Sequence, residues 1–429
     1  MDTNLAITIL LGSLFLFLMM RLPITFALGL SATLAALYLN IPAQVIVQRM
    51  VAGVNSFSLM AIPFFILAGE IMGQGGISKR LIEFSNVIVG RMRGGLSMVN
   101  ILSSMFFGGI SGSSVADTSS IGSIMIPMME EKGYDTDYSV NVTITSSTQG
   151  VLIPPSHNMI IYSLAAGGIS VSKLFLGGII PGVLLGLTLM GLSYFIAVKR
   201  NYPKGEKIPF NVAKKIVKES ILGLMTAVII MGGVISGIFT ATESAAVATI
   251  YAFIITFFVY KDIHIREMKG ILSNSLKTLA MVMAVIATSS AFAYMMAYLK
   301  VPQLITETLL QISDNKFVIL ILINMILLLL GMIMDMAPLI LIATPILLPV
   351  ATSVGMDPIQ FGIVMMLNLG IGLITPPVGS TLFVGCSIAG ISIEKVAKSL
   401  KPFYIMLFVY LMCLTFIPQL TLWLPSIMG

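Results

Sequence analysis

Two consecutive prolines, Pro154 and Pro155, interrupt an apolar segment that is long enough to cross a lipid bilayer. A proline has no backbone N–H, so the carbonyls four residues earlier, on Gly150 and Val151, lose their helical partners. An unpaired carbonyl in hydrocarbon costs roughly several kcal/mol and survives only where it is buried in protein or lines a cavity. The same pattern returns at Gly372–Pro377. The chain must therefore accommodate two broken membrane helices, and we predict that each break serves a function.

The composition is that of a membrane protein, because 57% of the 429 residues are hydrophobic, 10% are charged and the mean hydropathy is +1.02. A soluble domain carries about a quarter charged residues. The first apolar run, Leu5–Met20, has no basic segment before it and no evident cleavage site. We predict a retained helix there, not a signal peptide. The fold class predicted for the chain is an all-α polytopic membrane protein in contact with the lipid bilayer.

Ten segments are predicted to cross the bilayer, at 4–20, 23–39, 52–74, 136–167, 174–198, 219–239, 244–260, 276–298, 358–390 and 402–424. The loop at 79–93 carries four Lys and Arg residues, so we place it in the cytoplasm. Alternation then puts 20 of the 24 Lys and Arg residues on the cytoplasmic side and both termini on the opposite side. The exceptions are Arg49, Lys173, Lys300 and Lys316. The net charge of +6 thus reports membrane orientation, and no nucleic-acid partner is predicted.

Two further apolar segments, 95–129 and 317–354, are polar or interrupted in the middle. The centre of the first, at 108–118, reads Gly-Gly-Ile-Ser-Gly-Ser-Ser-Val-Ala-Asp-Thr, which is unfavourable for a single spanning helix. We predict re-entrant hairpins, in which two half-length helices enter and leave on the same side of the membrane. Amphipathic helices along the interface are predicted at 76–90 and 301–315.

The two halves of the chain are related by a repeat. A shift of 222 residues aligns 109–170 with 331–392 without a gap, and 12 of these 62 positions are identical. Most identical residues shape the backbone: Gly109/Gly331, Pro127/Pro349, Gly133/Gly355, Asp135/Asp357, Gly150/Gly372, Pro154/Pro376 and Pro155/Pro377. Each half has five predicted crossings, and an odd number inverts the second copy. Inverted repeats with helices broken near mid-membrane are typical of secondary transporters.

These features divide the chain into three predicted segments. The first inverted repeat covers 1–200, with scaffold helices at 1–74, a re-entrant hairpin at 95–129 and a broken helix at 136–167. A charged cytoplasmic connector, interpreted as a solvated linker helix, covers 201–218. The second inverted repeat covers 219–429, with scaffold helices at 219–298, a re-entrant hairpin at 317–354 and a broken helix at 358–390.

Each hairpin tip can meet the break of its own repeat near the midplane, where both offer hard oxygen ligands to a small cation. Transporters bind sodium with unwound carbonyls and half-helix C-termini, while half-helix N-termini face an anionic substrate. We predict one Na⁺ site per repeat and no transition metal. The first site is predicted from Ser111, Ser113, Ser114, Gly150, Ile153 and Pro155, and the second from Gly331, Asp335, Gly372 and Thr375. The alternative is that the serines only bond local carbonyls or help helices pack.

Asp335 is the sharpest single candidate, because an ionisable side chain at membrane depth usually faces a cavity or a partner. It is predicted to bind sodium or a substrate hydroxyl. The predicted substrate contacts are Ser113, Ser156, Asn158 and Asp335. Asp117 lies three residues past the serine tip and either caps the second hairpin arm or takes part in function. A role in helix capping or at the interface is predicted for Glu70 and Glu243, and packing beside the break for His157, with substrate contact as its alternative.

No motif of an enzyme is present in the sequence. It contains neither the His-Glu-x-x-His pattern of zinc proteases nor a glycine-rich phosphate loop ending in Lys-Ser/Thr. We therefore predict that the protein is not an enzyme and that its energy comes from an ion gradient or another subunit.

Three motifs resemble a known family: Gly-Gly-Ile-Ser-Gly-Ser-Ser-Val-Ala-Asp-Thr at 108–118, Pro-Pro-Ser-His-Asn at 154–158 and Thr-Pro-Pro-Val-Gly at 375–379. They are similar to the large membrane (DctM-like) subunit of tripartite ATP-independent periplasmic (TRAP) transporters, over essentially the whole chain. The resemblance implies an elevator-type ion transporter fold, sodium coupling and a location in the bacterial inner membrane with both termini in the periplasm. It also implies a small four-helix membrane subunit as a partner and a periplasmic substrate-binding protein that delivers a small carboxylate substrate.

Family substrates include C4-dicarboxylates and sialic acids, and overall resemblance favours sialic acid without the motifs deciding it. The predicted site contains no Arg or Lys, so carboxylate binding would depend on helix N-termini, hydroxyls such as Ser113 and Ser156, and bound sodium. Two alternatives stay open. One is a stand-alone sodium/carboxylate symporter of the same fold, and the other is a polytopic scaffold or receptor that transports nothing.

Overall fold

The computed structural model describes residues 2–312 and 315–428, most of them in α-helices. The first half contains α1 (Thr3–Met19), α2 (Ile24–Tyr38), α3 (Ala43–Val54), α4 (Ala61–Gln74), α5 (Ile77–Val89), α6 (Gly95–Ser111), α7 (Ser114–Ser120), α8 (Gly122–Glu131), α9 (Thr136–Ser147), α10 (Gln149–Leu152), α11 (His157–Ala165) and α12 (Val171–Lys199). The second half contains α13 (Phe210–Ile235), α14 (Ala241–Ile254), α15 (Met268–Tyr298), α16 (Val301–Ile312), α17 (Lys316–Gly331), α18 (Met336–Ser353), α19 (Pro358–Leu373), α20 (Ser380–Ala389), α21 (Ile393–Ser399), α22 (Lys401–Phe416) and α23 (Gln419–Met428). A short 3₁₀ turn at Phe57–Met60 leads into α4, and another at Ile265–Glu267 leads into α15. A π-helical turn at Ile255–Tyr260 follows α14.

The same residue types start the broken helix in both halves. Each hairpin ends before a glycine with positive φ, +82° at Gly133 and +80° at Gly355, a conformation that favours glycine. An aspartate follows two residues later. Asp357 caps α19 by accepting the N–H of the second residue after it at 2.7 Å, whereas Asp135 accepts the hydroxyl of Tyr202 at 2.6 Å. The repeat therefore keeps its turn residues while using the two aspartates differently.

Two predicted helices are interrupted where polar or proline residues weaken the backbone ladder. The predicted helix at 52–74 is split near Asn55 into α3 and α4, and α3 was not predicted at all. Asparagine and serine side chains compete for backbone hydrogen bonds, which favours a break at Asn55-Ser56. The predicted crossing at 402–424 is likewise bent by 50° between α22 and α23. Pro418 lies in that bend and cannot donate the next helical hydrogen bond.

The charged connector predicted at 201–218 as a solvated linker helix is helical in its second part. Residues 210–218 form the beginning of α13, which runs without interruption to Ile235. Lysine, alanine and glutamate are good helix formers, so this charged stretch extends the predicted helix at 219–239 toward the N-terminus. The segment before it, 201–209, lacks regular helix.

The hairpins and broken helices of both halves interlock into one group, here called the hairpin group (α6–α12 and α17–α23). The first arm of each hairpin packs on the broken helix of its own half, α6 on α9 and α10, and α17 on α19. The second arm packs on the far part of the other half's broken helix, α7 on α20 and α18 on α11. Each break is therefore enclosed by elements from both repeats.

The remaining long helices form a second group, here called the scaffold group (α1–α4 and α13–α15). Within it α4 packs on α14 and α15, and α15 also packs on α2 and α3. The two groups meet mainly where α4 contacts α6 and where α15 contacts α18. The amphipathic helix α5 contacts both α6 and α13, and so connects the two groups beside that boundary.

Among the described residues, six helical segments are long and apolar enough to cross a membrane on their own, or up to eight spans if each of two bent pairs counts as one. They include the 18-residue stretch Met336–Ser353, which was predicted as a hairpin arm. The predicted all-α fold, with a hairpin and a broken helix in each half, is confirmed. The exact number of crossings and the borders of the three segments stay predictions. Residues 313 and 314 of the amphipathic segment predicted at 301–315 lie outside the described residues.

Candidate functional site

A cavity of about 880 Å³ lies between the hairpin group and the scaffold group. One wall comes from α4 and α15, and the opposite wall comes from the two hairpin tips and the residues beside the two breaks. Ser111, Ser113 and Ser114 enter from the first tip, Asp335 from the second tip, and Asn158 from the start of α11. The structure thus brings predicted site residues of both repeats to one place.

The first tip is a tight turn between α6 and α7. Gly112 adopts a positive φ of +61°, and a Cβ on it would lie 3.0 Å from the Cα of Ser156, so glycine is required for both reasons. Ser113 caps α7, since its hydroxyl accepts the N–H of Ala116 at 3.3 Å. The hydroxyl of Ser111 accepts the N–H of Ser113 at 3.4 Å. Asp117, for which a capping role was one prediction, is therefore not the cap.

Ser114 links the first tip to both broken helices. Its hydroxyl oxygen lies 2.7 Å from that of Ser147 on α9 and 3.1 Å from that of Thr381 on α20. Ser114 is 1% exposed, so these contacts are shielded from water. A cation or substrate bound at this tip would therefore lie close to residues of both repeats.

The first break holds the tip through side chains rather than through a backbone ladder. The helix ends when the N–H of Ile153 donates to the carbonyl of Gln149 at 2.8 Å. After the cis Pro154–Pro155 bond, Ser156 and Asn158 donate to the carbonyl of Gly112 at 3.5 and 3.4 Å. Pro154 and Pro155 supply no N–H to the carbonyls of the preceding turn.

The second break is more fully bonded within the protein. The hydroxyl of Thr375 donates to the carbonyl of Ile371 at 2.6 Å, and its N–H donates to the carbonyl of Gly372 at 2.9 Å. Tyr404 on α22 donates its hydroxyl to the carbonyl of Ile374 at 2.8 Å. The N–H of Val378 donates to the carbonyl of Met332, which ties this break to the second tip at 3.2 Å. Three carbonyls at this break, those of Ile371, Gly372 and Ile374, thus already have partners.

A glycine pair brings hairpin and broken helix together in each half. A Cβ on Gly108 would lie 2.5 Å from the Cα of Gly150. A Cβ on Gly372 would lie 2.5 Å from the carbonyl carbon of Gly331. Backbones at this distance leave no space for a side chain. These four glycines therefore set the position of each tip against its break.

Several predicted site residues do not line the cavity. Gly331 and Gly372 face each other, and the hydroxyl of Thr375 is engaged with a carbonyl of its own helix. The residues that lie behind the cavity surface are Gly150, Ile153, Pro155, Ser156, Gly331, Gly372 and Thr375. The roles of all the predicted ligands stay predictions.

The cavity also contains polar residues that the motifs did not indicate. Lys79 lies among the lining residues, whereas the predicted set of site residues contains no Arg or Lys. Glu70 accepts from Gln74 at 2.7 Å and from Asn274 at 3.4 Å, and it faces the cavity from α4 instead of capping a helix. His157 reaches the cavity beside Asn158. The further polar residues in the lining are Gln74, Ser78, Ser119, Ser120, Ser123, Thr278 and Ser380.

One signal for these missed residues is present in the sequence. Ser119, Ser120 and Ser123 follow the tip at helical spacing and continue its polar face toward α8. Glu70 and Thr278 come from scaffold helices and have no such local pattern. Glu243, by contrast, behaves as predicted, since it forms a capping box with Thr240 at the start of α14.

A second polar cluster lies outside the membrane-spanning segments, where the first hairpin ends. Asp135 accepts hydrogen bonds from the hydroxyl of Tyr202 at 2.6 Å and from Arg200 at 2.7 Å. The Tyr202 hydrogen bond is the largest influence on the Asp135 carboxyl, and despite partial burial it holds the pKa of that carboxyl below its usual range. The cluster fastens the start of α9 to the end of α12.

The sequence matches a known family over most of its length. Residues 11–420 match the model described as "Tripartite ATP-independent periplasmic transporter, DctM component". An uncharacterized protein of Salmonella typhimurium, YgiK, is 44% identical over 424 residues, which cover 98% of this chain and 97% of that protein. The C4-dicarboxylate TRAP transporter large permease protein DctM of Vibrio cholerae is 37% identical, with 95% and 94% covered. The sialic acid TRAP transporter large permease protein SiaM of the same organism is 37% identical, with 89% of each chain covered.

Solved structures share the fold at low sequence identity. The YdaH transporter of Alcanivorax borkumensis is similar with a TM-score of 0.60 at 12% identity, over 85% of this chain and 86% of that one. MtrF of Neisseria gonorrhoeae is similar with a TM-score of 0.58 at 14% identity, over 86% and 83%. Identities this low support the fold alone.

Proposed function

This chain belongs to the family of DctM components of tripartite ATP-independent periplasmic transporters, and we propose that it is the large membrane subunit of a sodium-coupled importer of an organic acid. It is a transporter subunit and not an enzyme, and its relatives are large permeases. The observation that carries the proposal is the convergence of both hairpin tips on one cavity beside the two breaks. A secondary transporter needs such a site where its repeats meet.

Sodium coupling is supported by the charges and oxygens around the cavity. Asp335 and Glu70 bring carboxylates to the lining, and Lys79 is the one lysine or arginine among the described lining residues. An anionic substrate alone would be repelled by two carboxylates in a site of low dielectric constant. Sodium ions held near the tips would offset that charge, so that the organic acid binds well only when they are present. This is a direct physical basis for coupling.

The substrate proposed is a small organic acid of the C4-dicarboxylate or sialic acid class, as the names of the V. cholerae relatives indicate for those proteins. In the proposed arrangement, hydroxyls and the Asn158 amide near the first tip bind the carboxylate. Asp335 binds sodium or a hydroxyl of the substrate. Ser156 lies behind the cavity surface and holds the first tip through its bond to the carbonyl of Gly112, so its role in substrate binding is indirect.

An elevator mechanism is supported by the boundary between the two groups. Small residues lie along it, and a Cβ on Gly69 of α4 would be 3.5 Å from the Cα of Ser111. A smooth boundary with few side chains interlocked permits one group to slide along the other. We propose that the hairpin group moves with its cargo while the scaffold group stays in place.

The cavity faces the cytoplasm in this proposal. Its lining includes Gln74 at the end of α4 and Lys79 at the start of α5. Lys79 belongs to the basic segment 79–93, and basic segments between membrane spans are typically cytoplasmic. The conformation would then be the one that releases substrate. In this proposal the chain lies in the inner membrane of a bacterium, together with a small four-helix membrane subunit. A binding protein delivers the substrate on the periplasmic side.

Reconstitution tests this proposal. The chain is purified with the small membrane subunit encoded beside it, placed in liposomes and supplied with the cognate binding protein loaded from a panel of C4-dicarboxylates and sialic acids. We expect accumulation of one class, and only with the binding protein present. Uptake of free substrate without the binding protein would instead favour the stand-alone symporter, and no uptake with any partner or acid would favour a scaffold or receptor.

A further inference from the structure

Asp117 is a carboxylate buried in the hairpin group without a visible partner. It lies in the first turn of α7, is 0% exposed, and neither of its carboxylate oxygens has a hydrogen-bond partner among the described residues. An ionised carboxylate taken out of water is strongly destabilised unless it is paired. Its surroundings must therefore provide either a proton or a positive charge.

The described helices that pack against α7 supply no positive charge to this carboxylate. The helices with the most extensive contacts to α7 are α4, α6, α8, α9, α10 and α20. Not one lysine, arginine or histidine is present in these six helices. Their acidic residues are Glu70 on α4, Glu130 and Glu131 at the end of α8, and Asp137 at the start of α9. A compensating charge would consequently have to be a mobile cation.

Oxygen atoms are gathered on the side of α7 that faces α6 and α9. The side chain of Ser104 on α6 lies beside the Asp117 carboxylate. The hydroxyl of Ser146 lies 3.1 Å from that of Ser104 and 3.4 Å from the amide oxygen of Asn100. The side chains of Asp117, Ser104, Ser146 and Asn100 are all 0% exposed. Asn100 is oriented by donating to the hydroxyl of Thr143 at 2.7 Å, which leaves its amide oxygen directed toward the cluster.

We infer that Asp117, together with the hydroxyl of Ser104, holds a sodium ion behind the first hairpin tip, with Ser146 and Asn100 as the supporting oxygens. Carboxylate, hydroxyl and amide oxygens are the hard ligands that suit a small cation such as Na⁺. This inference rests on the proposed sodium coupling and specifies where one of the coupling charges is bound. It differs from the predicted first site, which is built from the serine tip and the carbonyls of the break.

The position of Asp117 connects this ion to the tip. Asp117 lies one helical turn after Ser113 and Ser114, and its N–H donates to the carbonyl of Ser113 at 3.0 Å. Ser113 and Ser114 line the cavity, whereas Asp117 does not. An ion beside Asp117 would therefore be covered by the tip and released only when the tip moves. Each repeat would then contribute one carboxylate, Asp117 or Asp335, to charge compensation.

The test counts sodium ions bound to the purified full-length chain, by equilibrium binding of radioactive sodium and by sodium-dependent thermal stabilisation. We expect Asp117→Asn to bind one sodium ion fewer than the unmodified chain while keeping the remaining sodium response. The matched control is Asp137→Asn, an aspartate at the start of α9 outside the cluster, which should bind the full number. Potassium at equal concentration corrects for ionic strength.

The outcomes separate this inference from the proposed function. If the unmodified chain binds no sodium, both fail. If it binds sodium and Asp117→Asn binds the same number with the same half-saturation, Asp117 is a neutral acid and only this inference is overturned. Should Asp117→Asn fail to fold, Ser104→Ala decides, since we expect its sodium half-saturation to rise about tenfold, and an unchanged value would overturn the assignment.

Discussion

The two halves of this molecule build the same device with different internal bonding. In the first half the tip is rich in hydroxyls, and prolines leave the carbonyls of the last helical turn without helical donors. In the second half the tip is apolar apart from Asp335, and Thr375 and Tyr404 donate to the carbonyls of the break. A duplicated backbone can thus leave carbonyls of one break without helical donors while those of the other break are bonded within the protein.

The glycine pairs allow the sharpest comparison between the halves. A Cβ on Gly372 would lie 2.5 Å from the backbone of Gly331, whereas a Cβ on Gly150 would lie 3.2 Å from the Cα of Gly108. We expect Gly372→Ala to lower stability by roughly 1–3 kcal/mol and to abolish uptake, with a smaller effect for Gly150→Ala. Thermal unfolding in detergent measures the first effect and proteoliposome uptake the second.

Gly191 on α12 provides the control for these substitutions. A Cβ there would meet nothing within 4 Å, so Gly191→Ala should keep both stability and uptake. Equal stability of Gly372→Ala and Gly191→Ala would contradict the close approach described for the second half.

Removing the charge of the Asp335 carboxylate at the second tip is expected to have the next largest effect on uptake. Asp335 lines the cavity, so Asp335→Asn should reduce uptake by about tenfold or more through loss of a charged ligand, while the protein remains folded and inserted. Asp357→Asn, which affects only the cap of α19, should lower stability slightly and leave uptake near normal. Unchanged uptake in Asp335→Asn would remove this residue from the site.

The proline pairs test the difference in carbonyl bonding directly. Replacing Pro154 and Pro155 together with alanine restores N–H donors to the first break and should raise the sodium concentration needed for half-maximal uptake. The same change at Pro376 and Pro377 should alter it less, because the carbonyl of Gly372, four residues before Pro376, already accepts from the N–H of Thr375. Sodium titration of uptake measures both variants. If both variants changed the half-maximal sodium concentration equally, the difference in carbonyl bonding between the two breaks would not affect the sodium dependence of uptake.

Part of this fold and of the candidate site could be predicted from the sequence alone. The breaks and hairpins were predicted correctly because proline and glycine constrain the backbone locally, and the repeat placed the same residues at equivalent turns. The role of Tyr404 was not predictable, because it lies on α22, with α20 and α21 between it and the break, and it bonds only after α22 packs there. Glu70, Lys79 and Thr278 were missed as lining residues for the same reason, since their proximity to the tips depends on packing between groups.

Local rules also failed where two of them competed. Asp117 follows the serine tip at a spacing that suits a helix cap, but Ser113 takes that role and leaves the aspartate buried and unpartnered. By contrast, the charged stretch before residue 219 was predicted as a solvated linker helix, and residues 210–218 do form the largely exposed beginning of α13.

The smallest expected effect concerns the aspartates that begin the broken helices. The pKa of Asp135 is held below its ordinary value of 3.8, mainly by the hydroxyl of Tyr202. A lowered pKa in the folded state stabilises the protein above the unfolded-state value, and this contribution is lost as the pH falls through the folded-state value. Tyr202→Phe should therefore lose less stability on acidification below about pH 4 than the unmodified protein. Thermal unfolding across that range measures the difference, and an identical acid profile would contradict the role of Tyr202.

The measurement that tests the account most directly is sodium-driven uptake by the reconstituted system. Proteoliposomes containing the chain and its small subunit receive the loaded binding protein under an inward sodium gradient, and a second sample receives an equal potassium gradient. We predict accumulation against a substrate gradient with sodium and none with potassium. Equal accumulation under both gradients would contradict the central claim that the two tips and breaks form a sodium-coupled site.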